Sequence, residues 1–368
     1  VDTNGLTLGV EEEFLLVDAA TLRTAPQAAA VLARAAKAPE PAEGMRFQPE
    51  MAATQVEAST GICTGLSELR RQLGDARARL AAAARAEGVR LVATGNPVLG
   101  GDFVPLMPGD HYARLADILA GAVDGYESCG CHVHVGVADR ELAVAVVNHL
   151  RPWLPTLLAL SVNSPFDQGH DSGYGSWRIQ AQARFPGAGV PPWFPSLAAY
   201  DGQLQRLVEV GVLADTGTTF WLARPSPRLP TVEVRAADAA STLDEAVLQA
   251  ALARALVLTA LSELSKGREA QPMGDHLCTA ALWSAARYGL TGPGIHPFEE
   301  RRVAATLLLD ELLRHVQPAL EEAGDDAAVR TLVRTAGRRG TGAARQRAAA
   351  VRGLSSVVDL LVRQTEEP

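Results

Sequence analysis

The stretch Leu8-Gly9-Val10-Glu11-Glu12-Glu13-Phe14-Leu15-Leu16-Val17 constrains this chain more than any other. Its flanks are apolar and partly β-branched, which predicts a strand, and along a strand alternate side chains share a face. Glu11 and Glu13 then point the same way, about 7 Å apart. Two carboxylates so placed repel each other. Arg, Lys or a divalent cation must hold them there, unless the strand is simply the charged edge of a solvated sheet.

Two later strands repeat the device. Between Tyr126 and Val137 the alternation puts His132 and His134 on one face and Val133 and Val135 on the other. Such a pair either offers two imidazoles to a metal or is buried as satisfied core histidines. Between Pro230 and Ala236, Glu233 and Arg235 share a face while Val232 and Val234 take the other. Alone, that is an ordinary acid–base pair on a sheet. Three strands that each carry a polar pair backed by apolar neighbours predict one sheet whose concave side is a polar, metal-holding cavity. Glu50 and Glu57 lie on a predicted loop that runs into a strand between Arg46 and Gly61. They are either further members of that cavity or two surface acids.

The other periodicity is helical. Leu66, Leu69, Leu73, Ala76, Leu80 and Ala83 recur at spacings of three and four, predicting a helix over 66–87 that Gly88 closes, with a short strand over 89–93 behind it. Shorter helices are expected over 28–37, ended by Pro39 and Pro41, over 139–149, over 154–160 after the break at Pro152, and over 198–212. Beyond Leu243 the chain is Ala- and Leu-rich, with helices expected over 243–266, 273–288, 299–322, 327–336 and 343–365. These should pack as a layer on the sheet, within one domain spanning 1–368 whose part from about 243 to 368 is mostly helical.

Two segments outside the strands carry candidate anion contacts. The loop 161–178 is rich in Gly and hydroxyls and ends at Arg178, whose guanidinium fork either anchors a carboxylate or phosphate or faces solvent. Gly340 to Arg347 opens the last helix, where a helix N-terminus near Arg345 and Arg347 offers a phosphate site, or where Thr341 merely caps a solvated basic helix. Neither a Walker loop nor a dinucleotide fingerprint occurs.

Composition narrows the partners. With 34 Lys and Arg against 42 Asp and Glu the formal charge is −8, which disfavours nucleic acid held by general electrostatics and suits a site that collects cations. Four cysteines in 368 residues make no disulfide framework, and Cys129 and Cys131 read as small core residues rather than half of a zinc site. No run approaches about 18 apolar residues free of charge, so no membrane span is expected. No charged-then-apolar leader precedes the first strand, and a cytoplasmic location is the expectation.

Taken together, Gly9 to Phe14, Gln55-Val56-Glu57, Gly130 to Gly136, Ser161 to Arg178, Arg224-Pro225-Ser226 with Pro230 to Arg235, and Gly340 to Arg347 resemble the type 2 glutamate–cysteine ligase or carboxylate–amine ligase family, related to glutamine synthetase. The resemblance covers nearly the whole chain. It implies an α+β fold in which a curved, mainly antiparallel sheet forms a funnel-shaped active site with helices on its outer face. It also implies ATP and Mg²⁺ as cofactors, an amino acid and an amine as small-molecule substrates, and an amide made through an acyl phosphate, with the glutamate γ-carboxylate as the activated acid. Carried over by motif, Glu11, Glu13, Glu50, Glu57, His132 and Glu233 become the metal shell. Arg235 faces the transferred phosphoryl group, Arg178 takes the substrate carboxylate, and Arg345 and Arg347 join Arg235 toward the nucleotide. Assembly into a homo-oligomer stays open.

Three departures from the family pattern bear on the acceptor amine: Asp167 replaces an aromatic, Gly95-Asn96-Pro97 replaces Thr-His-Pro, and Trp221-Leu222-Ala223-Arg224 lacks an acid at its second position. Cysteine is therefore not assumed. The rival readings are a metal-dependent hydrolase using His132 and His134 with a bound water, and a non-catalytic binder of the same fold. The strands are too sparse for the eight βα units that a barrel hydrolase needs.

Overall fold

The computed structural model describes residues 6–38, 41–101 and 104–367. Its main sheet holds seven strands: β1 (Leu8–Asp18), β2 (Arg46–Pro49), β3 (Gln55–Ser59), β4 (Val89–Val92), β5 (Gly130–Gly136), β8 (Ala223–Pro225) and β9 (Thr231–Asp238). Two hairpins stand apart, β6 (Phe166–Asp167) with β7 (His170–Asp171), and β10 (Pro293–Ile295) with β11 (Arg302–Ala304). The strand order is β2-β3-β1-β5-β9-β8, every pairing is antiparallel, and the sheet is open. One edge of β1 carries β3, while the other carries β5 along its first half and β4 along its second. The 11-residue β1 is therefore the spine on which everything else is hung.

Strand alternation sorts the residues as the sequence pattern predicts. Leu8 and Val10 of β1, Cys131, Val133 and Val135 of β5, and Val232 and Val234 of β9 enter one apolar cluster with the helices α4 (Arg140–Leu150), α5 (Leu154–Ser161) and α8 (Leu243–Ser265). Phe14, Leu16, Val56 and Ala58 enter a second cluster with α1 (Ala28–Ala35) and α2 (Leu66–Ala86). The opposite face carries Glu11, Glu13, Glu57, His132 and His134. At the far end of β1 that face turns apolar, and Leu15, Val17 and Val92 are covered by Val357, Val358, Leu361 and Val362 of α13 (Leu354–Glu366). α8 is long and apolar enough to span a membrane by length and composition, yet it is largely buried as the central core helix.

Glu12 is the exception to the pattern. It sits on the helical face, 2% exposed, where Arg77 of α2 meets it through Nη2 to Oε1 at 2.6 Å and Nε to Oε2 at 3.0 Å. The same guanidinium donates to the carbonyl oxygens of Ala240 and Ser241. One buried ion pair thus fastens the spine strand, its covering helix and the chain end leading to α8.

Several expected helix bounds move. α1 ends at Ala35, and Pro39 lies outside the described residues. The segment from Glu299 does not begin a helix: residues 302–304 form β11, and α10 (Ala305–Glu322) starts after it. The last predicted helix is two, α12 (Gly342–Ala350) and α13, separated at Gly353, whose φ of +101° suits glycine alone. The other α-helices among the described residues are α3 (Asp110–Leu119), α6 (Trp177–Gln182), α7 (Leu197–Glu209), α9 (Asp275–Tyr288) and α11 (Asp326–Arg339).

Candidate active site

Register brings the strand acids together. Glu13 on β1 lies directly opposite Glu57 on β3, and Glu50, half-buried just after β2, reaches the same place. Glu13, Glu50 and Glu57 each offer an oxygen within 4.8 Å of the others. Glu57 accepts from Gln48 Nε2 at 2.6 Å, and Glu13 accepts from the Gly130 backbone at 2.5 Å. Burial and the Glu50 carboxylate push Glu13 up to about 8, with Arg178 and Arg235 only partly offsetting them. Glu57 is raised well above the usual carboxylate range by burial and by Glu11, Glu50 and Glu13, and Glu50 is raised by burial.

A second donor set lies beside the first. Glu11 pairs across strands with His132, and His134 pairs with Glu233, so Glu11, His134 and Glu233 also converge within 4.8 Å. His134 Nδ1 lies 2.8 Å from Thr231 Oγ1, which leaves Nε2 buried without a hydrogen-bond partner and 3.4 Å from Glu11. Burial would raise Glu11, but the adjacent His132 and His134 imidazoles outweigh it and hold Glu11 far below the ordinary value. Burial likewise opposes the charge on Glu233, and Arg235 and Arg224 outweigh it.

His132 stands between the two sets, with Nδ1 3.6 Å from Glu11 and Nε2 3.6 Å from Glu13. Burial and the nearby Arg235 guanidinium lower it to about 3, so its ring is neutral at ordinary pH. His134 is instead raised, because Glu11 and Glu233 outweigh its burial. The two histidines share a face as expected, yet among the described residues only His134 belongs to a three-donor set.

The cations of the cavity come from β8, β9 and α6. Arg235 contacts Glu233 and lies 3.3 Å from His132 Nδ1. Arg224 grips both oxygens of Glu233. Arg178, on α6 rather than in the preceding loop, is 1% exposed and donates from Nη2 to the Arg235 carbonyl at 3.1 Å, while its Nε and Nη1 find no hydrogen-bond partner. Its place depends on Gly130, where a Cβ would come within 2.5 Å of Nη2. Five carboxylates thus face three guanidiniums across two strand edges, a donor chemistry of hard oxygens plus one free imidazole nitrogen that fits divalent cations.

Arg345 and Arg347 lie apart from this cavity. Arg345 donates to Gly340 O, Ser241 Oγ and Glu245, and Arg347 donates to Asp171 and the Tyr174 carbonyl. Thr341 caps α12 through its side chain. The departures Asn96 and Asp167 meet each other: Asn96 Nδ2 donates to Asp167 Oδ1 at 2.9 Å and its Oδ1 accepts from Ser128 Oγ at 2.6 Å.

Sequence reasoning missed Asp238. Val133 pairs with Val234 but Cys131 with Ala237, so Arg235 and Ala236 together oppose His132 in a β-bulge. The extra residue puts Ala236 and Ala237 both in the core and turns Asp238 onto the polar face, where it accepts from Asn163 N, Ser164 Oγ and Ser176 Oγ and lies 3.9 Å from Arg178 Nη1. The shift falls on the adjacent Ala236 and Ala237, which carry no polar–apolar contrast to reveal it. Arg224 was visible only as part of a motif, because β8 is three residues long and has no period to read.

The open antiparallel sheet packs most of its helices on its apolar face and gathers two carboxylate-rich donor sets on the other. A profile described as glutamate-cysteine ligase family 2 matches residues 7–359. The chain is 54% identical over 349 residues to a protein of Saccharopolyspora erythraea named "Putative glutamate–cysteine ligase 2-2", covering 95% of this chain and 89% of that one. It is 41% identical over 367 residues to a protein of like name from Salinispora arenicola, covering 99% and 96%. The chain belongs to glutamate–cysteine ligase family 2. Its fold is shared with the crystal structure of a glutamate–cysteine ligase from Francisella tularensis in complex with AMP, at a TM-score of 0.71 and 13% identity over 99% of this chain and 89% of that one.

Proposed function

We propose that this chain joins the γ-carboxylate of glutamate to an amine, with ATP converting the acid to an acyl phosphate first. The observation that carries this reading is the pair of three-donor sets that flank Arg235 and Arg178 in one cavity. A carboxylate is a poor acylating agent, and phosphorylation gives it a leaving group that an amine can displace. Catalysis of phosphoryl transfer is mainly positioning and neutralisation of charge. Mg²⁺ held by Glu11, His134 and Glu233 and by Glu13, Glu50 and Glu57, with His132 between them, would supply the positive charge that lets an acidic cavity accept a polyphosphate.

This chain's own residues do the rest. Arg235, anchored on Glu233, presents its guanidinium to the phosphoryl group. Arg178 offers two unsatisfied donors, Nε and Nη1, to the substrate carboxylate. The nucleotide is assigned first to Arg235; Arg345 is held by Gly340, Ser241 and Glu245 and keeps Nε without a partner, and Arg347 is held by Asp171 and the Tyr174 carbonyl. Arg178→Ala should raise KM for the acid about ten- to a hundredfold, since a hydrogen bond to a charged group is lost, with a smaller change in kcat. Steady-state ADP release at varied glutamate reads this, and an unchanged acid KM would move the anchor elsewhere.

The acceptor is proposed to be an amine other than cysteine. The Asn96–Asp167 pair replaces a titratable ring and an aromatic with a neutral amide and a carboxylate, a change of polar contact that alters discrimination. A panel of amino acids and small amines should yield at least one acceptor whose kcat/KM exceeds that of cysteine by about tenfold or more. Mass spectrometry of the amide products ranks them, and cysteine at the head of the ranking sinks the altered-pocket idea.

A further inference from the structure

Among the described residues, Glu233 is the carboxylate of the two donor sets that ion-pairs directly with two guanidiniums, and the two differ in how they are held. Arg224 lies directly across the β8–β9 ladder from it. Arg224 Nε donates to Glu233 Oε2 at 2.8 Å and Nη2 to Oε1 at 3.3 Å, so both oxygens are fixed. Its remaining nitrogen is fixed as well, since Nη1 donates to Gly217 O at 2.7 Å, Thr219 O at 2.9 Å and Thr219 Oγ1 at 3.3 Å. Arg224 is 8% exposed and sits on the outer strand β8, with Glu233 between it and the other donors. Arg235 has no comparable backbone anchor: its contacts are Glu233 and His132 inside the cavity.

We propose that Arg224 is a positioning residue that holds the Glu233 carboxylate in the orientation at which Glu233, Glu11 and His134 close on one divalent cation. This rests on the metal reading given above. A carboxylate offers about four lone-pair sites; the Arg224 fork uses two and Arg235 a third on Oε1, which leaves one on Oε2 for the ion. The fork also fixes a side chain that would otherwise sample several rotamers, so the ion meets a formed set of donors. Partners behind a ligand act in this way on metal sites generally, and losing one costs about ten- to a hundredfold in affinity.

Charge alone predicts the opposite sign. Deleting a positive group beside a cation site relieves repulsion and should tighten binding. The direction of the change therefore separates positioning from plain electrostatics. The experiment is Mn²⁺ binding without nucleotide, by calorimetry and by the paramagnetic resonance of free Mn²⁺, on the parent protein, Arg224→Gln, Arg224→Lys, Glu233→Gln and the Arg224→Gln/Glu233→Gln pair. Thermal melting of each confirms the fold. Arg224→Gln should weaken Mn²⁺ about ten- to a hundredfold. Arg224→Lys keeps the charge but not the planar fork, so it should weaken Mn²⁺ as well and reads the effect if the Gln variant folds poorly. The double variant should bind no worse than Glu233→Gln, because Arg224 acts through Glu233. Binding that is unchanged or tighter in both Arg224 variants, or losses that add in the double variant, overturns this inference alone. A parent protein that binds no Mn²⁺ overturns it together with the metal reading.

Discussion

Glu13→Gln should melt no lower than the parent protein at pH 7 in chelator, and yet release ADP about 10²- to 10³-fold more slowly at saturating Mg²⁺. The two halves have one cause. Burial and Glu50 raise Glu13 to about 8 from the ordinary 4.5, so the folded protein favours the neutral carboxyl where the unfolded chain ionises. A carboxyl raised on folding costs stability as pH climbs through the window from about 4.5 to about 8, and below that window the cost is absent. Glutamine copies the neutral form and removes the cost. It cannot copy the anion that a cation requires, so turnover falls while the fold holds. Melting curves at pH 5 and pH 7 with initial rates of ADP release check both halves. Near-parental turnover in a folded Glu13→Gln protein would remove Glu13 from the metal set.

Arg77→Met should cost about 3–5 kcal/mol of folding stability, the largest single effect expected outside the cavity. The side chains of Arg77 and Glu12 are each only 3% exposed, so the lone carboxylate left behind can neither reach water nor find another cation. The carbonyls of Ala240 and Ser241 lose their donors in the same step. The penalty belongs to the uncompensated charge rather than to the pair. Glu12→Leu with Arg77→Met should therefore recover most of the loss, since apolar replacement of a whole buried pair is often neutral. Urea unfolding of the two proteins measures the difference, and a loss below about 1 kcal/mol in the single variant would mean that Glu12 is solvated after all.

The cavity face was legible because alternation is a local property. Glu11 with Glu13, His132 with His134, and Glu233 with Arg235 each share a face in the sequence pattern and in the folded sheet. What local pattern does not carry is partnership across distance. Glu12 needs Arg77, 65 residues on, before its burial makes sense, and Asn96 meets Asp167 over 71 residues. Asp238 escaped because a bulge shifts the alternation by one, and β11 escaped because Glu299 to Ala304 is too short and too rich in helix formers to stand out from the front of α10. The break at Gly353 was visible as a glycine, but glycine alone does not say whether a helix continues through it.

The central claim is that the acid is activated as an acyl phosphate in the cavity between β1, β3, β5 and β9. Glutamate labelled with ¹⁸O in its γ-carboxylate, incubated with ATP, Mg²⁺, the enzyme and the best acceptor of the panel, tests it most directly. The account predicts ADP and amide in equal amounts, with one ¹⁸O per amide passed into inorganic phosphate, because the carboxylate oxygen that attacks the phosphorus leaves with it. Release of AMP and pyrophosphate with the label in AMP, or amide formation with no label in phosphate, would contradict it.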